Sequence, residues 1–326
     1  TPQALRKKYV MEITKKIFEN NTHIVNCYKS FVGFAFCLSY PSIAIFKKVG
    51  FLPLILYILV VVCLLVLVLW KLPLIKRLIT PSIAVFILCF LSISLLVAYI
   101  IIHPKIDTDG FHLAGIDFGS SDADDAIDRA IVECIEGRDP YRARTFLDNP
   151  ITPLPGALLL SLPFYFLGDS GIQNIFWLMA FFSIIAVYYR STFIAALIAL
   201  LVFCLSPNMI YHTLQGGDYI ANSIYLIIFS ALLLRSVQLR ATFLHSALWA
   251  VLLGIGLSSR LNFIFILPLL MAELIAASSR KTACGLLVII VISFTIITLP
   301  FYIYEPSGFS PLHTANKLSI NGTFRW

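Results

Sequence analysis

The sequence predicts an all-α, polytopic helical membrane protein of about nine or ten apolar helices, with an external acidic loop carrying an amphipathic surface helix. Three observations carry that expectation. Of the 326 residues, 59% are hydrophobic and 13% are charged, about half the charged share of a soluble domain. Mean hydropathy is +0.90. Apolar runs long enough to cross a hydrocarbon core of roughly 30 Å recur from one end of the chain to the other. Such runs are helices rather than strands, because every backbone N–H and C=O must find its partner within the segment.

Ten apolar segments follow one another at about 30–46, 51–70, 80–102, 154–167, 172–189, 192–206, 219–234, 243–258, 262–277 and 283–304. They divide the chain into a basic cytoplasmic lead (1–29), three N-terminal membrane segments (30–102), the external acidic loop (103–153), a C-terminal bundle (154–304) and an external tail (305–326). Basic clusters orient them. Lys71, Lys76 and Arg77 mark one cytoplasmic turn, Arg235 and Arg240 a second, Arg280 and Lys281 a third. These marks agree only if 154–167, short and interrupted by Pro163, does not fully cross. Lys47 and Lys48 then face outside, against the rule. The net charge of +7 sits mostly in short interhelical clusters and gives no reason to expect nucleic acid. Seven scattered cysteines, without a CxxC spacing, read as small buried hydrophobes.

Polar chemistry concentrates in one place. Eleven of the 17 acidic residues lie between Ile101 and Pro150, beside five basic ones, so this stretch has a formal charge of −6 in a protein of +7. Within it Ser121 is placed to cap a helix, with Asp124 three residues on as its capping-box partner. Ile127, Ala130, Ile131, Cys134 and Ile135 then share one helical face, and Gly137 ends the run. The pattern describes an amphipathic helix lying on the membrane, apolar side down. Asp125 and Arg129 are spaced to pair across one turn. Asp122, Asp124 and Asp125 have the oxygen chemistry for Mg²⁺ or Mn²⁺. Positions i, i+2 and i+3 of a helix do not share a face, however, and no cofactor or metal is expected.

The run Ser121-Asp122…Ala130…Gly137-Arg138-Asp139-Pro140-Tyr141 resembles the first-loop motif of C-type (GT-C) glycosyltransferases, in the branch using polyprenol-phosphate-mannose donors. Asn149-Pro150-Ile151-Thr152-Pro153-Leu154-Pro155 through Leu167-Gly168 resembles that motif's continuation. Gln215-Gly216-Gly217-Asp218 and Gly254-Ile255-Gly256-Leu257-Ser258-Ser259-Arg260 resemble two later ones. The order matches over about residues 80–305. Three apolar segments precede the loop where one is usual, and the proline pair is split as Pro153-x-Pro155. The resemblance implies transfer of a sugar, a mannose-type hexose foremost, from a polyprenyl- or dolichyl-phosphate donor. The acceptor would be a hydroxyl of a glycan, lipid or protein on the external membrane face, and the displacement inverting.

It also implies a catalytic role for Asp122, which a base on the acceptor hydroxyl would fulfil. Asp124 and Asp125 are placed to orient that base or grip sugar hydroxyls. Arg260 is the group for the leaving phosphate, unless it is a snorkelling residue at a helix end. Asp218 either faces substrate or caps the helix it opens; His212, Arg138 and Tyr141 complete the substrate-binding set. Two other classes remain open. A coupled transporter would place ionisable groups near the bilayer midplane, where only Glu273 lies well inside an apolar run. A non-catalytic scaffold would use the acidic loop for docking.

Overall fold

The computed structural model describes residues 50–109, 112–113, 116–117 and 122–312, with side chains placed over 50–106 and 122–312. The expected segments 1–29 and 30–46, the capping residue Ser121 and the stretch 313–326 lie outside the described residues. The described chain is almost wholly helical. In order, the helices are α1 (Phe51–Leu78), α2 (Pro81–Asp109), α3 (Asp125–Ile135), α4 (Pro155–Tyr165), α5 (Gln173–Tyr188), α6 (Thr192–Leu205), α7 (Pro207–Leu214), α8 (Tyr219–Gln238), α9 (Phe243–Leu257), α10 (Leu267–Ala277) and α11 (Arg280–Tyr304). A two-residue antiparallel pair, β1 (His112–Leu113) and β2 (Ile116–Asp117), sits between α2 and α3.

Nine of the ten expected apolar segments coincide with helices, and five stretches are long and apolar enough to cross a membrane: α1, Pro81–Ile106 of α2, Ser170–Tyr188, α8 and α11. The bent pair α6 and α7 adds a sixth if it counts as one span. This is a multi-pass membrane protein. Only 11% of the apolar windows of α1 and α2 is buried, against 56% for α8. Apolar side chains left outside on helices of this length are suited to lipid contact. Helix α4, at 11 residues, rises only about 16 Å, half a hydrocarbon core.

Contacts divide the chain into two compact units, one running to Ile79 and including Leu200–Asn208, the other Thr80–Ala199 and the chain from Met209 on. In the first, the Tyr57 hydroxyl donates to the Leu205 carbonyl. The second holds α8 between α5 and α9, with α11 against α9. Every residue of the candidate site described below belongs to this second unit.

Two sequence expectations are corrected at α3. The helix is amphipathic as expected, but its apolar face meets protein rather than a membrane surface. Ala126, Ile127, Ala130 and Ile131 are buried in one cluster with Tyr141, Ile151, Leu154, Leu158 and Phe309. The helix also begins at Asp125, later than a cap at Ser121 requires, and Asp124 makes no side-chain cap bond. Its carboxylate is drawn inward to other partners. Helix α7 was not expected; Pro207 at its first position supplies the fixed φ that starts a helix.

Candidate functional site

The acidic residues at the start of α3 part company. Asp122 Oδ2 accepts from the Thr145 hydroxyl and from the Asn149 side-chain amide, the latter at 2.8 Å. Asp125 accepts from Arg129 Nε at 2.7 and 2.8 Å, the expected one-turn pair, and from the Phe146 amide at 2.8 Å. Both thus brace the turn 145–149. Asp124 goes elsewhere, so the three carboxylates do not gather at one point.

Asp124 meets His103, near the end of α2, and Asp169, which precedes the turn into α5. His103 Nε2 lies 3.2 Å from Asp124 Oδ2 and 3.2 Å from Asp169 Oδ2. The other ring nitrogen, Nδ1, is 3.1 Å from the Leu214 carbonyl, which can only accept. Tyr99, one turn before His103 and stacked on it at 4.4 Å, donates its hydroxyl to Asp169 Oδ2 at 2.7 Å. Asp169 Oδ1 takes the Gly171 amide at 2.7 Å. Burial works against ionisation of Asp169, but the bonds from His103, Tyr99 and Gly171 outweigh it and hold the carboxyl below its ordinary range.

The Gln215-Gly216-Gly217-Asp218 turn closes over this cluster. Gly216 has φ +78°, and a Cβ there would stand 2.8 Å from His103 Cε1 and 3.1 Å from Asp124 Cβ. Both the left-handed backbone and the close approach exclude a side chain. Asn174 of α5 pins the next residues, donating to the Gly217 carbonyl at 2.8 Å and accepting from the Ala221 amide at 3.0 Å.

Beyond that turn Asp218, fully buried, stands at the N-cap position of α8, but its side chain makes no cap bond and turns to other partners. Arg260 binds it through Nε at 3.0 Å and through Nη2, and gives Nη1 to the Thr152 hydroxyl at 3.0 Å. The guanidinium lies 4.6 Å from the Tyr219 ring centre. Asn222 donates to Asp218 Oδ2 at 2.6 Å, and the Tyr225 hydroxyl sits between Asn222 Oδ1 and Ser259 Oγ. Backbone bonds tie the same loops: Leu154 N to Ser259 O at 2.9 Å, Gly156 N to Ser258 O at 2.8 Å.

The remaining expected residues are placed as follows. Arg138 is exposed and held by Glu133 and Glu136, so it balances the acids beside it. Tyr141 is buried against Phe309 at 4.7 Å, its hydroxyl donating to the Pro153 carbonyl at 3.2 Å. It is part of the core cluster under α3. His212 Nδ1 lies 2.8 Å from Gln215 Oε1 in a local set on α7. His103, Asp169, Thr152, Asn174 and Asp128 were not expected at the site.

Asp128, one turn into α3, is half-buried, and its carboxyl is pushed up to about 7. Burial is the main cause, and repulsion from Asp169 and Asp124 adds to it, while Ser170 pulls the other way. The unfolded chain ionises Asp128 near its ordinary 3.8, so between about pH 4 and 7 the native state holds a proton the unfolded state has released. The group therefore costs nothing below that window, and its penalty grows as pH rises through it. Asp128→Asn is expected to melt with wild type near pH 4 and to be more stable by about 2–4 kcal/mol at pH 8. Thermal unfolding in chelator-containing detergent buffer reads this; parallel pH profiles would sink it.

No protein-family model matches the chain, and neither a curated protein nor a solved structure matches it.

Proposed function

We propose that the protein is a GT-C-like integral membrane glycosyltransferase. It would take a sugar, a mannose-type hexose foremost, from a polyprenyl- or dolichyl-phosphate donor and pass it to an acceptor hydroxyl on the external face. One observation carries the reading: the four stretches that resemble the family's motifs converge. Asp122 and Asp124 belong to the first, Thr152, Leu154 and Gly156 to the second, Gly216 and Asp218 to the third, Ser258, Ser259 and Arg260 to the fourth. Gly216 lies against Asp124, Asp218 binds Arg260, and Arg260 binds Thr152. An apolar cavity of about 400 Å³, lined among others by Ile131, Ile135, Leu158, Leu162 and Phe301, lies beside this region and suits a prenyl chain.

In this reading the acceptor oxygen attacks the anomeric carbon as its proton passes to Asp122, and the polyprenyl phosphate leaves with the bonding electrons. Thr145 and Asn149 fix Asp122 Oδ2 and so aim the carboxylate. Arg260 meets the leaving phosphate by exchanging its Thr152 contact while Asp218 holds it in place. A binding scaffold would need no such base.

The test is sugar transfer and donor hydrolysis by purified protein in lipid nanodiscs, across a panel of polyprenyl-phosphate sugars. Asp122→Asn is expected to lower transfer about 10²–10⁴-fold with donor binding retained. Activity kept by Asp122→Asn but lost in Asp128→Asn would move the base to Asp128. No donor consumed by any route would sink the transferase.

A further inference from the structure

We propose that His103, Asp124 and Asp169 bind a divalent transition-metal ion, zinc foremost. The site is not the Asp122–Asp124–Asp125 trio, whose carboxylates turn to different partners, and it does not depend on the transferase reading.

Four features of the cluster point the same way. The first is spacing. Zinc bonds to imidazole nitrogen and carboxylate oxygen run about 2.0–2.2 Å, which sets tetrahedral ligand–ligand edges of roughly 3.3–3.6 Å. The two edges from Nε2 to the carboxylate oxygens are each 3.2 Å, and the three candidate ligand atoms all lie within 4.8 Å of one another. The second is the tautomer. Because the Leu214 carbonyl can only accept, and so sets the proton on Nδ1, a neutral imidazole turns the Nε2 lone pair toward the two oxygens, as a metal-binding histidine does. A carbonyl or carboxylate on the far nitrogen is the usual support for such a ligand, and Tyr99 and the Gly171 amide support Asp169 in the same manner.

The third is charge. Asp124 and Asp169 form no ion pair with a Lys or Arg among the described residues, so the buried group carries −1 even with His103 protonated. A divalent ion over neutral His103 brings it to zero, which relieves the cost of burying like charges together. The fourth is an unanswered atom. Asp124 is 6% exposed, yet its Oδ1 has no hydrogen-bond partner among the described residues. A carboxylate binding an ion through both oxygens answers it. Imidazole with carboxylates favours zinc or a neighbouring first-row ion over Ca²⁺, which takes oxygen ligands in larger number.

The test uses the full chain in lipid nanodiscs, stripped with chelator and then titrated with Zn²⁺, Co²⁺ and Mn²⁺. Expected are one ion per chain, a rise in melting temperature on Zn²⁺ addition that chelator reverses, and visible absorption from bound Co²⁺. X-ray absorption at the zinc edge should show one nitrogen among oxygen ligands. His103→Gln and Asp124→Asn should each weaken binding at least about tenfold, and Tyr99→Phe, which keeps all three ligands, by less. Glu133→Gln, on the exposed side of α3, should leave it unchanged. Substoichiometric binding by folded wild type would overturn the site, as would equal affinity in His103→Gln, Asp124→Asn and wild type.

Discussion

Replacing Arg260 with alanine is expected to cost about 3–5 kcal/mol of stability, because it strands a buried carboxylate. Asp218 is fully buried and Arg260 has a side-chain exposure of 15%; without the guanidinium, Asp218 keeps, among the described residues, only the Asn222 amide. Asp218→Ala is expected to be comparably damaging for the converse reason. The double replacement removes both charges together, so it should cost clearly less than the two single changes added. A coupling of about 2–3 kcal/mol is the expected result of that double-mutant cycle. Thermal unfolding of the four proteins in one detergent measures it. Additive losses would mean that the two residues are held by their separate neighbours and not by each other. The functional consequence is larger than the stability loss alone, since Arg260 also holds Thr152 and thereby fixes the 150–154 stretch against α8.

Much of this helical framework was legible because lipid solvation imposes a simple rule on sequence. Long apolar runs must close their own hydrogen bonds, so nine segments could be read directly as helices. The amphipathic character of α3 was legible for a similar reason, as Ile127, Ala130 and Ile131 recur at helical spacing. What covers that face was not. Periodicity reports that a stripe is buried, and neither Tyr141 nor Phe309 declares in the sequence that it will lie against Ile131 rather than in lipid. The Pro207 start of α7 was visible in principle, but the helix is short and follows α6 after a single residue, so it read as loop.

The candidate site was half legible. The acidic loop marked Asp122, Asp124 and Asp125, and the resemblance to GT-C motifs marked Asp122, Asp218 and Arg260. The pairing of Asp218 with Arg260 was hidden, because 42 residues separate them and each alone reads as a helix-end residue. His103 and Asp169 were hidden for the same reason, lying beyond the ends of apolar runs at 80–102 and 154–167, where a polar residue is ordinary. They become significant only when α2 and α5 bring their ends to the start of α3. Their one signal in the sequence is that each is a polar residue flanking an apolar run.

The other large effect is expected at Gly156, where Gly156→Ala should destabilise by about 3 kcal/mol or more and impair any activity of the site. A Cβ at this position would run into the Ile255 carbonyl and the Ser258 side chain and stand 2.7 Å from the Ser258 carbonyl carbon. Overpacking a core commonly costs about 1–3 kcal/mol when side chains can move aside; here two of the three obstacles are backbone. The strain also falls on a hydrogen bond, since the Gly156 amide donates to the Ser258 carbonyl at 2.8 Å. Pushing α4 away from the end of α9 would lengthen that bond and the Leu154–Ser259 bond beside it, and would pull Thr152 from Arg260. The split proline pair and the Ser258-Ser259-Arg260 end of α9 therefore work as one joint. Gly156→Ala should lower the melting temperature and, through that joint, reduce the coupling between Asp218 and Arg260 in the double-mutant cycle. A Gly156→Ala protein with wild-type melting and undiminished coupling would show that the α4–α9 approach tolerates a methyl group and that the joint is looser than its hydrogen bonds imply.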